Sequence, residues 1–366
     1  MQTTKLKRLA IIARHPVQYY APLFEQMAKQ WDIKVFYHHR ASLTKFDEGF
    51  SREITWDIPI LKGYTHVFSH RIKDVKAYNP TAILIYGWAY RSHLTIIFHF
   101  SKKIKILFRG DSTLLDQTGA CRTMIKSFVL RKIYAQVDLA LYVGSNNKAY
   151  FQSYRLKDEQ LIYARHAVDN ERYAVNRAQE AAKLRESLAI PDTDILVLFA
   201  GKLIPKKDPG LLLQAFGNLN IPGVHLLVVG GGILEPTLKN TALTLPNRRN
   251  VYFLPFQNQQ RMPVIYQSCE LFCMPSAGPG ETWGLAINEA MASGKAILAS
   301  DKVGGAADLI DPTNGRIFTS GDLKSFMNEL RALLERKNKL LEMGKTSSEK
   351  IKGWNFQHQI EAIHGL

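Results

Sequence analysis

Glu281 and Glu289 stand eight positions apart, in a segment that leaves a predicted strand through a glycine-rich loop and enters a predicted helix over residues 283–293. Eight residues make about two helical turns, so both carboxylates should fall near one helix face. One can bind hydroxyls at the helix tip while the other holds another part of the same ligand, and the free N–H groups of Gly284 and Leu285 favour phosphate. The alternative is that Glu281 only complements the helix dipole and Glu289 lies on the surface.

A second cluster follows the predicted strand over residues 195–199. It comprises Gly201 and three lysines, Lys202, Lys206 and Lys207, in a strand-to-helix loop. A glycine at this point permits a tight turn and the close approach of a ligand. Lysines beside a helix N-terminus form an anion site, because the free N–H groups and the helix dipole also favour negative charge. The alternative is a loop of solvated lysines.

These two segments resemble a known family. The stretch E-T-W-G-L-A-I-N-E-A-M-A-S-G-K, which begins at Glu281, resembles the hallmark of retaining nucleotide-sugar glycosyltransferases of glycosyltransferase family 4, which have the GT-B fold. Gly201-Lys202-Leu203 followed by Lys207 resembles the family's G-R-L…K-G element, with lysine where the family usually has arginine. Lysine keeps the charge but lacks the bidentate fork of arginine. The resemblance covers residues 140–320 well and the N-terminal half more weakly.

The resemblance implies a role for each matching residue. Lys202 and Lys207 would bind the donor diphosphate and stabilise the leaving nucleotide. Glu281 would bind hydroxyls of the transferred sugar, and Glu289 would hold those of the ribose. Phe256 stands where the nucleobase would dock, and a core aromatic is the alternative. The implied donor-binding residues are Gly201, Lys202, Lys207, Phe256, Glu281, Thr282, Trp283, Gly284, Leu285 and Glu289, and the catalytic candidates are Glu281, Lys202, Lys207 and Asp111.

The first half of the chain carries candidates for the acceptor side. Many family members have a histidine after the strand that corresponds to residues 104–108, where this sequence has Arg109, Gly110 and Asp111. Asp111 is a candidate to contact the sugar or the acceptor, and Arg109 to bind phosphate or the acceptor; a structural role is the alternative for each. His15 and Gln18 lie where the family has a glycine-rich first loop, and a packed histidine is the alternative for His15.

The resemblance also implies a mechanism. In retaining members the acceptor attacks on the face from which the diphosphate departs, and a diphosphate oxygen takes the acceptor proton, so we assign no general base. No Asp-x-Asp donor-metal motif is apparent at the carboxyl end of a predicted strand, and Cys121, Cys269 and Cys273 lack the spacing of metal ligands. We therefore expect no metal and no cofactor beyond the donor substrate, a UDP- or GDP-linked sugar.

Short apolar runs alternate with amphipathic stretches, which predicts parallel sheets with helices on both faces. We expect a GT-B protein of two doubly wound Rossmann-like α/β domains facing an interdomain cleft. Residues 1–175 would bind the acceptor, residues 176–350 the donor, and a helix over residues 351–366 would return to the first domain. Residues 41–74 interrupt the alternation and predict a loop region with a short hairpin.

The amino-acid composition restricts the class of protein. The chain has 366 residues, of which 46% are hydrophobic and 22% charged. These values are typical of globular proteins and exclude collagen, coiled coil and disorder. No apolar run approaches the roughly 20 residues that span a bilayer. The odd number of cysteines and the lack of a signal peptide predict a cytoplasmic protein.

Charge is concentrated in the first half. The chain carries a net charge of +16, and residues 1–180 contain 28 basic and 15 acidic residues. This half is expected to bind an anionic partner. The predicted helix over residues 118–134 places basic residues beside apolar ones, which favours peripheral contact with an anionic membrane. The alternative is an ordinary helix covering the sheet. The basic residues of this helix are Arg122, Lys126, Arg131 and Lys132.

Together these features predict an enzyme that moves a hexose-type sugar from a nucleotide diphosphate to a glycan or lipid-linked acceptor, in bacterial surface polysaccharide or cell-envelope biosynthesis. One rival function is that of a sugar-transferring enzyme that acts on nucleic acid. It would explain the charge, but the sequence has no aromatic-interleaved basic motif, so no nucleic acid partner is expected. Two further rival functions are those of a non-catalytic partner with the same fold and of a nucleotide-sugar epimerase.

Overall fold

The computed structural model describes residues 8–38, 44–115 and 120–364, which form two compact units. The first unit contains the described parts of 1–43, 58–166 and 356–366, and the second contains 44–57 and 167–355. Residues 118 and 119 of the predicted basic helix lie outside the described residues, as do the side chains of Cys121 and Arg122.

Each unit is built around β-strands. In chain order they are β1 (Arg8–Ala13), β2 (Asp32–Tyr37), β3 (Thr44–Asp47), β4 (Arg52–Thr55), β5 (Thr65–Val67), β6 (Ala82–Tyr86), β7 (Lys105–Arg109), β8 (Leu139–Tyr142), β9 (Leu161–Tyr163), β10 (Ile195–Lys202), β11 (Val224–Gly231), β12 (Val251–Leu254), β13 (Leu271–Met274), β14 (Ala296–Ser300) and β15 (Gly315–Phe318).

Helices connect most of these strands. In chain order they are α1 (Ala21–Ala28), α2 (Ile72–Tyr78), α3 (Arg91–Phe100), α4 (Ala120–Tyr134), α5 (Ser145–Ser153), α6 (Asn170–Ala174), α7 (Ala178–Ser187), α8 (Pro209–Leu219), α9 (Glu235–Thr244), α10 (Met262–Gln267), α11 (Leu285–Ala292), α12 (Ala306–Leu309), α13 (Leu323–Leu334), α14 (Lys337–Ile351) and α15 (Phe356–His364). None of the described helices is long and apolar enough to cross a bilayer.

The first unit is a seven-stranded parallel sheet in the order β5-β2-β1-β6-β7-β8-β9. Ile11 of β1 is level with Val35 of β2 on one side and with Leu84 of β6 on the other. The next strand in the chain, β2, thus lies on one side of β1, and β6 lies on the other. The strand order therefore reverses at β1, and a topological switch point lies between β1 and β6. Helix α15 belongs to this unit, and the ring of His364 lies 5.5 Å from the ring of Trp31.

The second unit contains a six-stranded parallel sheet in the order β12-β11-β10-β13-β14-β15. Its core packs Val197 and Phe199 of β10 with Phe216 of α8 and Phe326 of α13. The order reverses between β10 and β13, so ligands are expected beyond the carboxyl ends of these two strands. The prediction of two doubly wound parallel sheets is confirmed.

A hairpin of β3 and β4 is grouped with the second unit, although the sequence placed residues 41–74 in the first domain. The strands pair antiparallel, with Asp47 opposite Arg52. Side chains of this hairpin explain the grouping, because Phe50 packs on Phe256 with ring centroids 4.8 Å apart and Asp47 forms an ion pair with Lys202. These contacts join segments that are far apart in the sequence.

Candidate functional site

The carboxyl end of β10 carries the first predicted site residues. Gly201 is level with Gly230 of β11, and Lys202 with Gly231. Gly230 has φ +146°, and a Cβ there would lie 1.9 Å from the carbonyl oxygen of Gly201. Only glycine fits this position, so the two strands can end side by side and present Lys202 at the edge of the sheet.

The loop after β10 continues through a short 3₁₀ turn, Pro205–Lys207, into α8. Asp208 caps α8, since its carboxylate accepts a hydrogen bond from the Leu211 N–H at 3.3 Å. The lysine loop is thus an ordered turn rather than a run of solvated side chains. It holds Lys207 with its side chain only 21% exposed.

Lys207 and Glu281 form the central contact of this region. Nζ of Lys207 lies 2.5 Å from Oε2 of Glu281, whose side chain is 9% exposed. The hydroxyl of Ser276 donates to the same carboxylate at 3.3 Å. Lys207 follows β10 and Glu281 follows β13, so the pair lies beyond the two strands that flank the switch point.

Backbone contacts fix the two loops against each other. The Ala277 N–H donates to the Lys206 carbonyl at 2.9 Å, and the Lys206 ammonium donates to the Gly280 carbonyl at 2.5 Å. On the other side, the Gly304 N–H donates to the Glu281 carbonyl at 2.9 Å. The backbone at Glu281 is therefore held by three segments of the second unit.

Helix α11 begins at Leu285, later than the sequence predicted. Gly284 precedes it with φ +90°, and a Cβ there would lie 2.6 Å from Cγ1 of Val303. The indole N–H of Trp283 donates to Oδ1 of Asn288 at 2.9 Å, so Trp283 packs beside the helix rather than within it. Glu281 consequently lies in the loop, and the two-turn spacing expected to align it with Glu289 does not apply.

Glu289 is buried inside α11, with an exposure of 4%. Its Oε2 accepts a hydrogen bond from the Tyr266 hydroxyl at 2.8 Å. The alternative that Glu289 lies on the surface is therefore wrong. A buried carboxylate with a fixed hydrogen-bond partner has one orientation in which to receive a ligand hydroxyl.

Lys202 has a partner that the sequence did not reveal. Its Nζ lies 2.7 Å from Oδ1 of Asp47 and 2.9 Å from Oδ2. Burial alone would raise the pKa of Asp47, but the hydrogen bond and charge of Lys202, together with the N–H groups of Phe50 and Gly49, hold that pKa below its ordinary value. Asp47 is thus ionised at neutral pH, and Lys202 is paired with a carboxylate.

Phe256 lies at the junction between the sheet and the hairpin. It is half-buried, and its ring contacts those of Phe50 and Trp56, with centroids 4.8 and 6.5 Å away. The guanidinium of Arg52 lies 5.6 Å from the Phe256 ring centroid. Phe256 is therefore part of a surface aromatic cluster and not of the sheet core.

The acceptor-side candidates belong to the first unit. His15, Arg109 and Asp111 line one cavity of about 200 Å³. Gln18 is not among its lining residues. Arg109 ends β7, Asp111 lies two residues beyond it, and His15 follows β1, so the cavity lies at the carboxyl ends of the strands near the switch point of this sheet.

A metal was not expected from the sequence, and that expectation stays a prediction. Within the described ranges, no group of three or more His, Cys, Asp and Glu side chains is arranged to hold a metal ion.

Comparison with known proteins extends these observations. Residues 180–350 match the family described as glycosyl transferases group 1. The D-inositol 3-phosphate glycosyltransferase of Nocardia farcinica is 30% identical over 196 residues, which cover 51% of this chain and 43% of that protein. A GDP-mannose-dependent monoacylated alpha-(1-6)-phosphatidylinositol monomannoside mannosyltransferase of Corynebacterium glutamicum is 25% identical over 245 residues, or 65% and 64% of the two chains. The chain spans about two fifths of the length of the inositol phosphate enzymes it matches.

Solved structures resemble the chain over nearly its whole length. Anabaena HepE in complex with UDP superposes with a TM-score of 0.76 at 17% identity, covering 98% of this chain and 99% of that one. Sucrose-phosphate synthase from Thermosynechococcus elongatus gives a TM-score of 0.72 at 18% identity, covering 98% of each chain. The chain therefore has the GT-B fold that its motifs predicted, and residues 180–350 match the glycosyl transferases group 1 family.

Proposed function

We propose that this protein is a retaining glycosyltransferase that moves a hexose-type sugar from a nucleotide diphosphate to a glycan or lipid-linked acceptor. The observation that carries the proposal is the ion pair of Lys207 and Glu281, at 2.5 Å, beyond the switch point of the second sheet. It lies within the segment that matches glycosyl transferases group 1.

The names of relatives support a nucleotide-sugar donor. The Anabaena neighbour has been solved with UDP and with UDP-glucose. The Corynebacterium relative is named as GDP-mannose-dependent. A UDP- or GDP-linked hexose is therefore the donor we propose. The relative that acts on a phosphatidylinositol mannoside and the neighbour WaaG, involved in lipopolysaccharide biosynthesis, favour a cell-envelope acceptor.

Lys207 can bind a diphosphate while it keeps its ion pair with Glu281. An ammonium group carries three donors, and one suffices for the carboxylate. A second can bind a phosphate oxygen, with the N-terminus of α11 adding backbone N–H groups and a favourable dipole. Charge placed where the leaving diphosphate develops its own charge lowers the barrier to transfer.

The two glutamates hold the sugars in this proposal. Glu281 accepts hydrogen bonds from hydroxyls of the transferred hexose, and Glu289 accepts them from the ribose. The bond from the anomeric carbon to the diphosphate oxygen breaks, and a bond to the acceptor oxygen forms on the same face. The acceptor proton passes to the departing diphosphate, so the chain supplies no general base.

A direct test begins with donor binding. UDP, GDP, ADP and their glucose or mannose conjugates are screened by thermal shift, since a ligand that binds only the native state raises its stability. Glycosyl transfer is then followed with the stabilising donor, and NMR gives the anomeric configuration of the product. Absence of stabilisation by every nucleotide, or a product of inverted configuration, contradicts the proposal.

We also propose that the protein works at an anionic membrane surface. Met124, Ile125 and Phe128 of α4 are 62–67% exposed. Lys126, Arg131 and Lys132 are exposed on the same helix, and the Lys132 ammonium lies 4.2 Å from the Phe128 ring centroid. Apolar and basic side chains together favour insertion among anionic headgroups.

Sedimentation with vesicles tests this surface. The protein is expected to bind vesicles containing phosphatidylglycerol, and Phe128→Ala combined with Lys132→Gln should weaken binding severalfold. Equal binding to vesicles of phosphatidylcholine alone would contradict an electrostatic membrane contact.

A further inference from the structure

The cavity of the first unit extends over the carboxyl ends of several neighbouring strands. Arg14 and His15 follow β1, Tyr86 ends β6, and Arg109 and Asp111 lie at and just beyond the end of β7. Its volume is about 200 Å³, whereas a single water needs roughly 10–15 Å³. The cavity therefore has room for a chemical group much larger than one water.

Arg109 is the unusual group in its wall. The residue is only 4% exposed. Its Nη1 donates to the Ala164 carbonyl at 2.9 Å, which anchors the guanidinium. Its Nη2 is buried and has no hydrogen-bond partner among the residues that the structure describes. Buried donors on a charged group are almost always satisfied, so the guanidinium, which lines the cavity, has hydrogen-bonding capacity that the described protein groups do not use.

The other side chains around the cavity leave it with a surplus of positive charge. Burial and the charge of Arg109 hold the pKa of His166 well below its ordinary value, so this ring is neutral at neutral pH. Burial, followed by the charge of Asp111, raises the pKa of Tyr20, so its hydroxyl stays protonated. The cavity is then lined by two guanidinium groups, those of Arg109 and Arg14, and by one carboxylate, that of Asp111.

We propose that this cavity is an oxyanion subsite, in which the guanidinium of Arg109 binds an oxygen of a phosphate or carboxylate group carried by the sugar-accepting molecule. Asp111 lies two residues further on and accepts a hydrogen bond from a hydroxyl of the same molecule. The inference rests on the proposed function and narrows it, because it makes the acceptor a hydroxylated anion and not a neutral sugar. Phosphate and carboxylate share this chemistry, and the experiment separates them.

Binding to the full chain without any nucleotide tests the subsite. Glucose 6-phosphate, glucuronate and glucose serve as probes in isothermal titration calorimetry at fixed pH and ionic strength. We expect one of the two anionic probes to bind at least tenfold more tightly than glucose. Preference for glucose 6-phosphate identifies a phosphate subsite, and preference for glucuronate a carboxylate subsite.

Substitutions of Arg109 and Asp111 are expected to change the affinity for the anion in opposite directions. Arg109→Gln should reduce binding of the preferred anion to the level of glucose, and Arg109→Lys should retain part of the preference. Asp111→Asn should strengthen binding of the anion severalfold, because a like charge is removed. Lys105→Gln is the matched control, since Lys105 is exposed at the other end of β7 and should leave all three affinities unchanged.

Two results would overturn the inference. One is equal affinity of the wild-type protein for all three probes, and the other is a folded Arg109→Gln variant that keeps the anion preference. Should Arg109→Gln fail to fold, the opposite shifts expected of Arg109→Lys and Asp111→Asn still decide the question. Stabilisation by UDP- or GDP-sugars is measured on the same samples. Loss of donor binding counts against the proposed function, whereas donor binding without anion preference counts against the subsite alone.

Discussion

The two units present their cations in different ways. In the second unit Lys207 and Lys202 each have a carboxylate partner, Glu281 at 2.5 Å and Asp47 at 2.7 Å. In the first unit Arg109 is buried, and its Nη2 has no hydrogen-bond partner within the described part of the chain. A paired lysine can share or exchange its carboxylate for a phosphate, whereas the Arg109 guanidinium keeps a donor that no described protein group accepts.

This difference suits two kinds of recognition. The pair of Lys202 and Asp47 lies near solvent, with side chains 33% and 31% exposed. Such pairs contribute about 0–1 kcal/mol, so the proposed diphosphate can displace Asp47 at little cost and leave again after transfer. A buried donor without a partner costs about 1–3 kcal/mol, so binding at Arg109 discriminates strongly between ligands with and without the matching atom. We infer that the second unit releases its anionic ligand readily, and that the first unit selects ligands by their anionic group.

The largest expected effect comes from breaking the pair at the switch point. Glu281→Ala and Lys207→Ala should each lower kcat about 10²–10³-fold, because Lys207 stabilises the charge that develops on the leaving diphosphate and Glu281 positions the transferred hexose. Both side chains lie in loops beyond the sheet, so each variant should still fold, although Lys207→Ala leaves the largely buried Glu281 carboxylate without its ion-pair partner and should lower the unfolding midpoint more than Glu281→Ala does. Steady-state transfer rates and thermal unfolding check the two halves of this prediction.

An exposed ion pair provides the matched control. Lys352 and Glu349 lie 2.6 Å apart on and just beyond α14, with side chains 67% and 72% exposed. Lys352→Ala and Glu349→Ala should leave turnover at the wild-type level. Wild-type turnover in Glu281→Ala and Lys207→Ala would contradict the assignment of the site.

A buried ion pair in the same unit should behave in the opposite way. Arg185 and Glu270 lie 3.2 Å apart with side chains 7% and 10% exposed, and Glu270 also accepts the Leu196 N–H at 2.7 Å. Glu270→Ala leaves a buried guanidinium short of its counter-charge and should cost about 3–5 kcal/mol of unfolding free energy. Urea unfolding measures the loss, and turnover per folded molecule should be unchanged. A loss below about 1 kcal/mol would show that burial does not separate this pair from exposed pairs.

Local sequence patterns predicted much of this architecture. Apolar runs marked β1 and β10, because parallel strands are covered on both faces and read as continuous hydrophobic segments. Gly201 and Lys202 could be placed at a strand end for the same reason. The start of α11 was predicted too early, because Gly284 takes a left-handed conformation directly before the helix. A Cβ at Gly284 would clash with Val303, a long-range contact that no local pattern encodes.

Long-range pairing accounts for what the sequence did not reveal. Asp47 and Lys202 are 155 positions apart, and nothing near Asp47 indicates that its hairpin packs on the second unit. Arg109 could be named as a candidate from its position after a strand. Its buried Nη2 could not, because that feature depends on Ala164 and on the walls of the cavity.

The aromatic cluster gives a smaller test of the second unit. Phe256→Ala should weaken binding of UDP or GDP about tenfold, because aromatic stacking contributes about 0.5–1.5 kcal/mol and tenfold in affinity corresponds to about 1.4 kcal/mol. Phe256→Tyr should bind as the wild type does. The exposed ring of Phe98, in the first unit, supplies a control in Phe98→Ala. Unchanged nucleotide affinity in Phe256→Ala would remove this residue from the donor site.

The smallest expected effect concerns Asp47, and its sign distinguishes two roles. Asp47→Asn keeps the shape of the side chain but releases Lys202 from its counter-charge. If Asp47 competes with the diphosphate for Lys202, the variant should bind UDP or GDP about three- to fivefold more tightly, consistent with an ion pair of under 1 kcal/mol. Weaker binding would mean that Asp47 positions Lys202 for the phosphate, and it would contradict the exchange of partners inferred for this unit.

The pH dependence of the same variant gives an independent check. The pKa of Asp47 is held below its ordinary value in the folded chain, so its ion pair stabilises the protein above the unfolded pKa and is lost as pH falls through the folded pKa. Urea unfolding should therefore give a wild-type advantage over Asp47→Asn of under about 1 kcal/mol at pH 7. That advantage should shrink as the pH falls below about 4. An advantage that persists undiminished at pH 2 would show that the contact acts through packing of the hairpin rather than through the charge on Lys202.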